Sequence, residues 1–133
     1  MDKKRFIGAI LAVFVAIQIT DPIIHNLILG KTYMTLQSVW RVDMMSKMWI
    51  MFINYIVFSS LFVYIFSKGF EKKGVLEGIR YGILIGFFVY VFSVINQYVI
   101  YPIPFSMILL WCFFGLIQYT LYGIITALIF KVK

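Results

Sequence analysis

The stretch GVLEGIRYGILIG, residues 74–86, carries a glycine at every fourth position and runs directly into the apolar segment FFVYVFSVI, residues 87–95. Residues four apart lie on one face of an α-helix, so Gly74, Gly78, Gly82 and Gly86 would form one edge. In water, each interior glycine costs a helix about 1 kcal/mol relative to alanine. In a lipid bilayer, small residues let two helix backbones approach closely, and van der Waals packing drives the association. The stretch therefore predicts the packing edge of a membrane-spanning helix.

The composition of the whole chain agrees with a membrane environment. Of 133 residues, 63% are hydrophobic and 13% are charged, whereas about 25% of the residues of an ordinary soluble domain are charged. The formal net charge is +7, but the basic residues stand at the ends of apolar runs, in MDKKRF, SKGFEKKG and KVK. This placement is typical of residues that flank a membrane span and meet anionic headgroups. We therefore do not expect binding to nucleic acid.

Four apolar segments are long enough to cross a bilayer, which takes about 20 residues per helix. They cover approximately residues 6–29, 48–66, 75–99 and 105–130. The sequence therefore predicts an all-α fold, with a single domain over residues 1–133 that forms an integral membrane bundle of four transmembrane helices. In the loop after the first segment, Tyr33, Leu36, Val39 and Trp40 recur at near-helical spacing and favour a short interfacial helix.

The distribution of basic residues predicts an orientation in the membrane. Nine of the 12 Lys and Arg residues lie on the side that holds both termini, and three, Lys31, Arg41 and Lys47, lie on the other side. Loops rich in Lys and Arg stay on the cytoplasmic side. Both termini are therefore expected in the cytoplasm, with the first loop outside.

Small residues also recur at a spacing of four on two other predicted spans. The first span carries Gly8, Ala12 and Ala16, and the fourth carries Gly123 and Ala127. Because these faces and the glycine edge would share the cytoplasmic half, we expect the third helix to pack against the first or the fourth. A glycine zipper of this kind could instead form a homodimer seam, or a groove for a flat cofactor or a lipid tail.

Polar residues cluster near the outer end of the predicted spans. Gln18, Asp21 and His25 lie at positions i, i+3 and i+7 and so share one face of the first helix. At 1.5 Å per residue, Asp21 lies about 24 Å beyond the basic start of its helix. In a hydrocarbon core about 30 Å thick, that depth is just below the outer boundary. Asn54 and Asn96 fall at a similar level on the second and third spans.

Two interpretations of this polar intramembrane cluster stay open. In the first, the side chains form a hydrogen-bond cluster inside the bundle, and Arg41 or Lys47 from the outer loop forms an ion pair with Asp21. In the second, the cluster is a small outward-facing site, where Asp21 and His25 take up a proton or polarise a ligand. Polar residues become sparse toward the cytoplasmic side, and Gln118 is the main candidate for a deeper polar group. This sparseness argues against a continuous proton or ion pathway across the membrane.

The residues that carry chemistry argue against an enzyme. Cys112 is the single cysteine, so an intrachain disulfide and a CxxC pair are excluded. His25 is the single histidine, so a bis-histidine haem would need two copies, although a His–Met ligand pair stays open. Met44, Met48 and Met51 share a helical side and could bind Cu(I), but such residues are more typical of packing. We expect no catalytic residue, no metal and no cofactor.

Several segments resemble a group of small, uncharacterised bacterial four-span integral membrane proteins. They are DPIIHNLILGKTY, residues 21–33, VWR, residues 39–41, and LFVYIFSKGFEKKGVLEGIRYGILIG, residues 61–86. The shared elements are D-x3-H, LG-x2-Y, WR and E-G-x-R-Y-G. The resemblance implies a four-span protein of the bacterial inner (cytoplasmic) membrane and carries no established activity. It directs attention to Asp21, His25, Tyr33, Trp40, Arg41, Glu77 and Arg80.

Three functions are compatible with these features. The small-residue edges favour a non-enzymatic accessory subunit that packs in the bilayer against other membrane chains or against itself. The polar cluster is the basis of the first alternative, a small homo-oligomeric transporter or channel with a polar site in the outer leaflet. A haem- or quinone-binding redox protein, using His25 and the aromatic-rich helices, is the further alternative.

Overall fold

A computed structural model of the chain describes residues 2–131, which form helices and connecting loops without a strand. The α-helices are α1 (Lys3–Pro22), α2 (Gly30–Met34), α3 (Met48–Lys68), α4 (Val75–Ile85), α5 (Phe92–Ile100) and α6 (Phe105–Phe130). Two π-helical segments, Ile23–Ile28 and Gly86–Val91, continue α1 and join α4 to α5, and 3₁₀ turns cover Gln37–Val39 and Met44–Lys47.

Four continuous helices are long and apolar enough to cross a membrane. They are span 1 (Lys3–Ile28), span 2 (Met44–Lys68), span 3 (Val75–Ile100) and span 4 (Phe105–Phe130). The predicted all-α bundle of four transmembrane helices is confirmed, and the helix ends differ from the predicted ones by only a few residues. The chain is a multi-pass membrane protein. The first loop contains a short helix, α2, as predicted, but α2 ends at Met34 and includes Tyr33 alone of the four residues whose spacing predicted it.

Each π-helical segment begins at, or directly after, a residue that weakens an α-helix. Pro22 lacks the N–H that would complete the α-helical ladder, and after it the Leu29 N–H reaches back to the Ile24 carbonyl at 2.8 Å. The second segment begins at Gly86, at the end of α4. Such π-turns are frequent at functional sites, and these two carry His25 and Tyr90, which line the cavities described below.

The third and fourth spans are in backbone contact along the glycine edge. A Cβ atom added to Gly78 would overlap the Gly123 carbonyl and come within 2.7 Å of the Ala127 Cβ atom. One added to Gly82 would overlap the Tyr119 carbonyl, and one added to Gly86 would lie 2.8 Å from the Tyr119 Cβ atom. The third helix therefore packs against the fourth, one of the two neighbours that the sequence predicted.

Two glycines assigned to small-residue edges do not take part in close packing. Gly74 precedes α4 as its N-cap with φ 73°, and nothing lies within 4 Å of a Cβ atom added there. That left-handed conformation explains a glycine at this turn, because other residues rarely adopt it. A Cβ atom added to Gly8 also meets nothing within 4 Å. On span 1, Ala16 is buried and Ala12 is half-buried.

The hydrophobic core is divided between the two ends of the bundle. We call the end that holds both termini the terminal end. There the Arg5 side chain donates to the Lys131 carbonyl at 3.3 Å. Its core combines spans 1, 2 and 4 around Val13, Val63 and Ala127. The opposite end, the loop end, has a smaller core of spans 1, 3 and 4 around Ile24, Val94 and Ile108, to which span 2 contributes no buried residue.

Candidate functional site

Span 2 leaves the bundle at the loop end and opens a cavity of about 830 Å³ against span 1 and the first loop. One face of span 2, at Met44, Met48, Met51, Phe52 and Tyr55, forms one wall. The other walls come from span 1, the first loop and Trp111 of span 4. They comprise Ile17, Gln18, Asp21, Pro22, His25, Asn26, Gly30, Tyr33, Met34, Gln37, Trp40 and Trp111, and Trp49 of span 2 completes the lining. The cavity is partly open, and we call it the outer cavity.

Asp21 is held by neutral hydrogen-bond donors. The Tyr55 hydroxyl donates to Oδ2, and the Gln118 amide donates to Oδ1 at 2.7 Å. The same nitrogen lies 3.0 Å from the Thr20 hydroxyl and 3.1 Å from the Tyr122 hydroxyl, so its two hydrogens are shared among three acceptors. The network thus joins spans 1, 2 and 4 around one carboxylate. A carboxylate has about four lone-pair sites, so these two donors leave room for a further partner.

The ion pair expected between Asp21 and Arg41 is not formed. Arg41 donates to Asp43 at 3.0 Å, and the Lys47 ammonium lies 3.2 Å from the other Asp43 oxygen. Arg41 and Lys47 hold the pKa of the Asp43 carboxyl below its usual value. These three residues are exposed at the loop end. The prediction failed because an acidic residue two positions from Arg41 satisfies it locally, at no cost in desolvation.

His25 belongs to a second network that fastens the first loop to span 4. Its Nδ1 atom lies 2.6 Å from the Tyr33 hydroxyl, and the Trp111 indole N–H donates to that hydroxyl at 2.6 Å. The Trp40 indole donates to the Tyr33 carbonyl at 3.2 Å. Burial raises the pKa of the Tyr33 hydroxyl above its ordinary value, so the phenol keeps its proton.

The two bonds of the Tyr33 hydroxyl indicate the tautomer of His25. An indole N–H can only donate, so the Tyr33 oxygen accepts from Trp111 and has its own proton to give. When that proton is donated to Nδ1, the Trp111 N–H and the Tyr33 O–H each have an acceptor. In a neutral His25 the remaining proton is then on Nε2, which has no partner among the hydrogen bonds of the described side chains.

A second cavity of about 270 Å³ lies behind Asp21, and we call it the inner chamber. It is partly open, is lined by residues of all four spans and shares Ile17, Asp21, His25 and Tyr55 with the outer cavity. Its remaining walls are Asn54, Phe58, Tyr90, Gln118, Tyr119 and Tyr122. The Asp21–Tyr55 hydrogen bond thus stands between the two cavities.

The predicted polar cluster is only partly assembled. Gln18, Asp21 and His25 line the outer cavity together, and Asn54 lines the inner chamber. Asn96 is exposed and lines neither cavity. Depth alone placed Asn96 with the others, but a residue also has to lie on the face of the helix that meets the site. Span 3 presents Tyr90 to the chamber, and Asn96 lies on an exposed face.

Tyrosines are the site residues that sequence reasoning missed. Tyr55 bonds Asp21, and Tyr122 bonds Gln118 and the Thr20 hydroxyl, the latter at 2.9 Å. A tyrosine in an apolar span is ordinary interfacial composition, so the sequence offers no signal that separates these from Tyr98. Gln118 was recognisable as the one amide within the last span.

Clusters of His, Cys, Asp and Glu side chains that could hold a metal ion do not form in the part of the chain that the structure describes. No group of three or more His, Cys, Asp or Glu side chains lies close enough to share an ion among residues 2–131. Met34, Met44, Met48 and Met51 line the outer cavity, where their flexible thioethers suit an adaptable apolar wall. Cys112 is half-buried.

Comparison of the chain with protein-family models, with curated proteins and with solved structures gave no match. The resemblance to small bacterial four-span proteins therefore stays a prediction in its family and its source. The part of it that the structure bears out is the set of four long apolar helices.

Proposed function

We propose that this protein binds an amphipathic organic cation in the outer cavity, as the substrate site of a small membrane transporter. One observation carries the proposal: Asp21 is the only acidic residue among the lining residues of the described chain, and no Lys or Arg lines the cavity with it. A carboxylate removed from water needs an opposite charge nearby. Arg41 and Lys47 pair with Asp43, and Lys31 does not line the cavity, so that charge is left for a ligand to supply.

The remaining lining matches the body of such a ligand. Three tryptophans, Trp40, Trp49 and Trp111, share the cavity with Phe52 and Tyr55. Aromatic faces attract organic cations by about 0.5–2 kcal/mol each, most strongly when the site is desolvated. A volume of about 830 Å³ also lies within the range of roughly 300–1,000 Å³ that is typical of small-molecule sites.

The small-residue edges, which favoured an accessory subunit, now support that function only weakly. Most of the small-residue edges are covered within the chain, where Gly78 and Gly82 meet Gly123 and Tyr119 of span 4. Those edges are therefore not free to bind other membrane chains. Partners, oligomeric state and a redox role have no comparable observation in their favour, and the proposed binding requires no covalent chemistry.

The location in the cell belongs to the same proposal. The excess of Lys and Arg at the terminal end favours cytoplasmic termini in a bacterial inner membrane. The outer cavity would then face the exterior. An amphipathic cation concentrates at the anionic membrane surface, so it would reach the cavity from the outer leaflet.

Binding of tetraphenylphosphonium to the purified protein in lipid nanodiscs tests the proposal. We expect saturable binding that falls at least tenfold in Asp21→Asn, because the only carboxylate of the cavity is removed. Asp43→Asn is the matched control, since it removes one negative charge at the same end of the bundle but outside the cavity. Equal affinity in the wild type and in Asp21→Asn would refute the proposal, as would an equal loss in both variants.

A flux measurement separates a carrier from a receptor. Because tetraphenylphosphonium crosses a lipid bilayer unaided, flux is measured with a poorly permeant aromatic cation such as benzyltrimethylammonium. Proteoliposomes that contain the wild type should accumulate it under an inside-negative potential, and those with Asp21→Asn should not. Binding without flux would retain the site and exclude the transport role.

A further inference from the structure

We infer that the inner chamber binds a monovalent inorganic cation, with Na⁺ as the ion of choice for a test. The chamber has about 270 Å³ and is lined by residues of all four spans. A buried water needs only about 10–15 Å³ of such space, so the chamber has room for an ion with part of its hydration shell. Its position behind Asp21 brings it into contact with the one carboxylate of the site.

Gln118 presents an unpartnered oxygen to this chamber. The side chain is only 5% exposed, and its amide nitrogen lies within hydrogen-bond distance of three acceptors. Because the Asp21 carboxylate oxygen is bonded as an acceptor, the nitrogen of the amide must face it and Oε1 must face away. No hydrogen bond of the described residues ends on Oε1, yet no fully enclosed side-chain N or O atom among them lacks a partner. Oε1 is therefore open to the chamber.

The same reasoning applies to two tyrosine hydroxyls in the chamber wall. Tyr90 and Tyr119 are half-buried and make no hydrogen bond within the described residues, so their hydroxyls are not fully enclosed, and both residues line the chamber. The Asn54 amide of span 2 adds a further oxygen. Carboxylate, amide and hydroxyl oxygens are the ligands that hard cations prefer.

The charge of the chamber selects a monovalent ion. Its titratable lining consists of one carboxylate, one imidazole and tyrosine hydroxyls, and no Lys or Arg contributes to it among residues 2–131. These groups are Asp21, His25, Tyr55, Tyr90, Tyr119 and Tyr122. One carboxylate balances one positive charge, whereas a divalent ion would leave an uncompensated charge inside the membrane.

The inner site and the outer cavity meet at the same carboxylate. An ion in the chamber and an organic cation in the outer cavity would each neutralise Asp21, so each should weaken the binding of the other. This competition rests on the proposed function, but the binding of Na⁺ does not.

Binding of radioactive ²²Na⁺ to the protein in nanodiscs, at fixed pH and displaced by unlabelled Na⁺, tests the inference. We expect saturable binding by the wild type and none by Asp21→Asn. Tyr119→Phe removes only a hydroxyl, and Asn54→Leu changes an exposed position, so both should fold. Loss of one ligand bond to a charged group should lower the affinity about tenfold in each.

Tyr81→Phe is the matched control, because the Tyr81 hydroxyl donates to the Phe62 carbonyl and lines neither cavity. Its Na⁺ affinity should equal that of the wild type. Absence of saturable binding by the wild type would overturn the inference, as would equal affinities for Tyr119→Phe and Tyr81→Phe. Displacement that follows pH and not Na⁺ concentration would also overturn it, in favour of a proton.

The outcomes of the two proposals are distinguishable. Na⁺ binding without tetraphenylphosphonium binding would retain the inner site and remove the proposed function. Tetraphenylphosphonium binding that Na⁺ leaves unchanged would retain the proposed function and remove the inner site.

Discussion

The terminal-end half and the loop-end half of the bundle use the same four helices in different ways. At the terminal end, span 2 buries Ser59, Phe62, Val63 and Phe66 against its neighbours. At the loop end, Tyr55 of the same helix is half-buried, and the other residues from 48 to 57 are exposed. One half is a close-packed scaffold, and the other half contains the cavities, the polar network and the aromatic wall.

The difference follows from where the small residues lie. Gly78 and Gly123 bring spans 3 and 4 into backbone contact at the terminal end, with little space between them. Large side chains, such as Trp111 and Tyr33, separate the elements at the loop end. Without a hydrophobic force between helices in lipid, packing of this kind is what determines their separation. The close-packed terminal end can then fix the positions of the helices at the more open loop end.

Gly78→Ala is expected to have the largest effect on stability. The added Cβ atom would overlap the Gly123 carbonyl, and a backbone cannot move aside as a flexible side chain can. Overpacking of this kind typically costs about 1–3 kcal/mol, so thermal unfolding in detergent should occur several degrees lower. Gly8→Ala is the matched control, since nothing lies within 4 Å of its added Cβ atom. Equal unfolding temperatures for the two variants would contradict the division into a close-packed and an open half.

Tyr33→Phe should have an intermediate effect that is confined to the loop end. The change leaves the buried Trp111 N–H and the His25 Nδ1 atom without their partner, and an unpaired buried group costs about 1–3 kcal/mol. Proteolysis of the first loop should become faster, while the terminal end stays protected. Tyr98→Phe removes an exposed hydroxyl that makes no hydrogen bond within the described residues, and it should change nothing. A loop of unchanged protease resistance in Tyr33→Phe would show that this network does not fasten it.

The Asp43 ion pairs should have the smallest effect. The pKa of Asp43 is lowered in the folded chain, so its contribution to stability is complete above the ordinary pKa of an aspartate and is lost as the pH falls through the folded value. Between pH 5 and 8, stability should therefore not depend on this group. The Asp43, Arg41 and Lys47 side chains are all exposed, and salt screens ion pairs between exposed groups. A large fall in the unfolding temperature of Asp43→Asn at pH 7 would show that the loop depends on these pairs.

The sequence alone was sufficient for the fold class and for part of the site. Apolar segment length predicted four spans, and the i, i+3, i+7 spacing placed Gln18, Asp21 and His25 on one wall. It misassigned Gly74 to the packed edge, because a glycine at a turn and a glycine on a helix edge look alike when the spacing is regular. It also failed for Asn96 and Arg41, whose positions depend on helix rotation and on a competing local carboxylate.

What the sequence by itself determined is therefore everything that depends on distance along the chain: the spans, the shared faces within each helix and the small edge from Gly78 to Gly86. Only the tertiary structure decided which helices meet, where span 2 leaves the bundle, and that Tyr55 and Gln118 bind Asp21. The physical reason is that a helix repeats every 3.6 residues regardless of its neighbours. Its rotation and separation depend on side chains that are remote in sequence, such as Gly123 and Tyr119 across from Gly78 and Gly82.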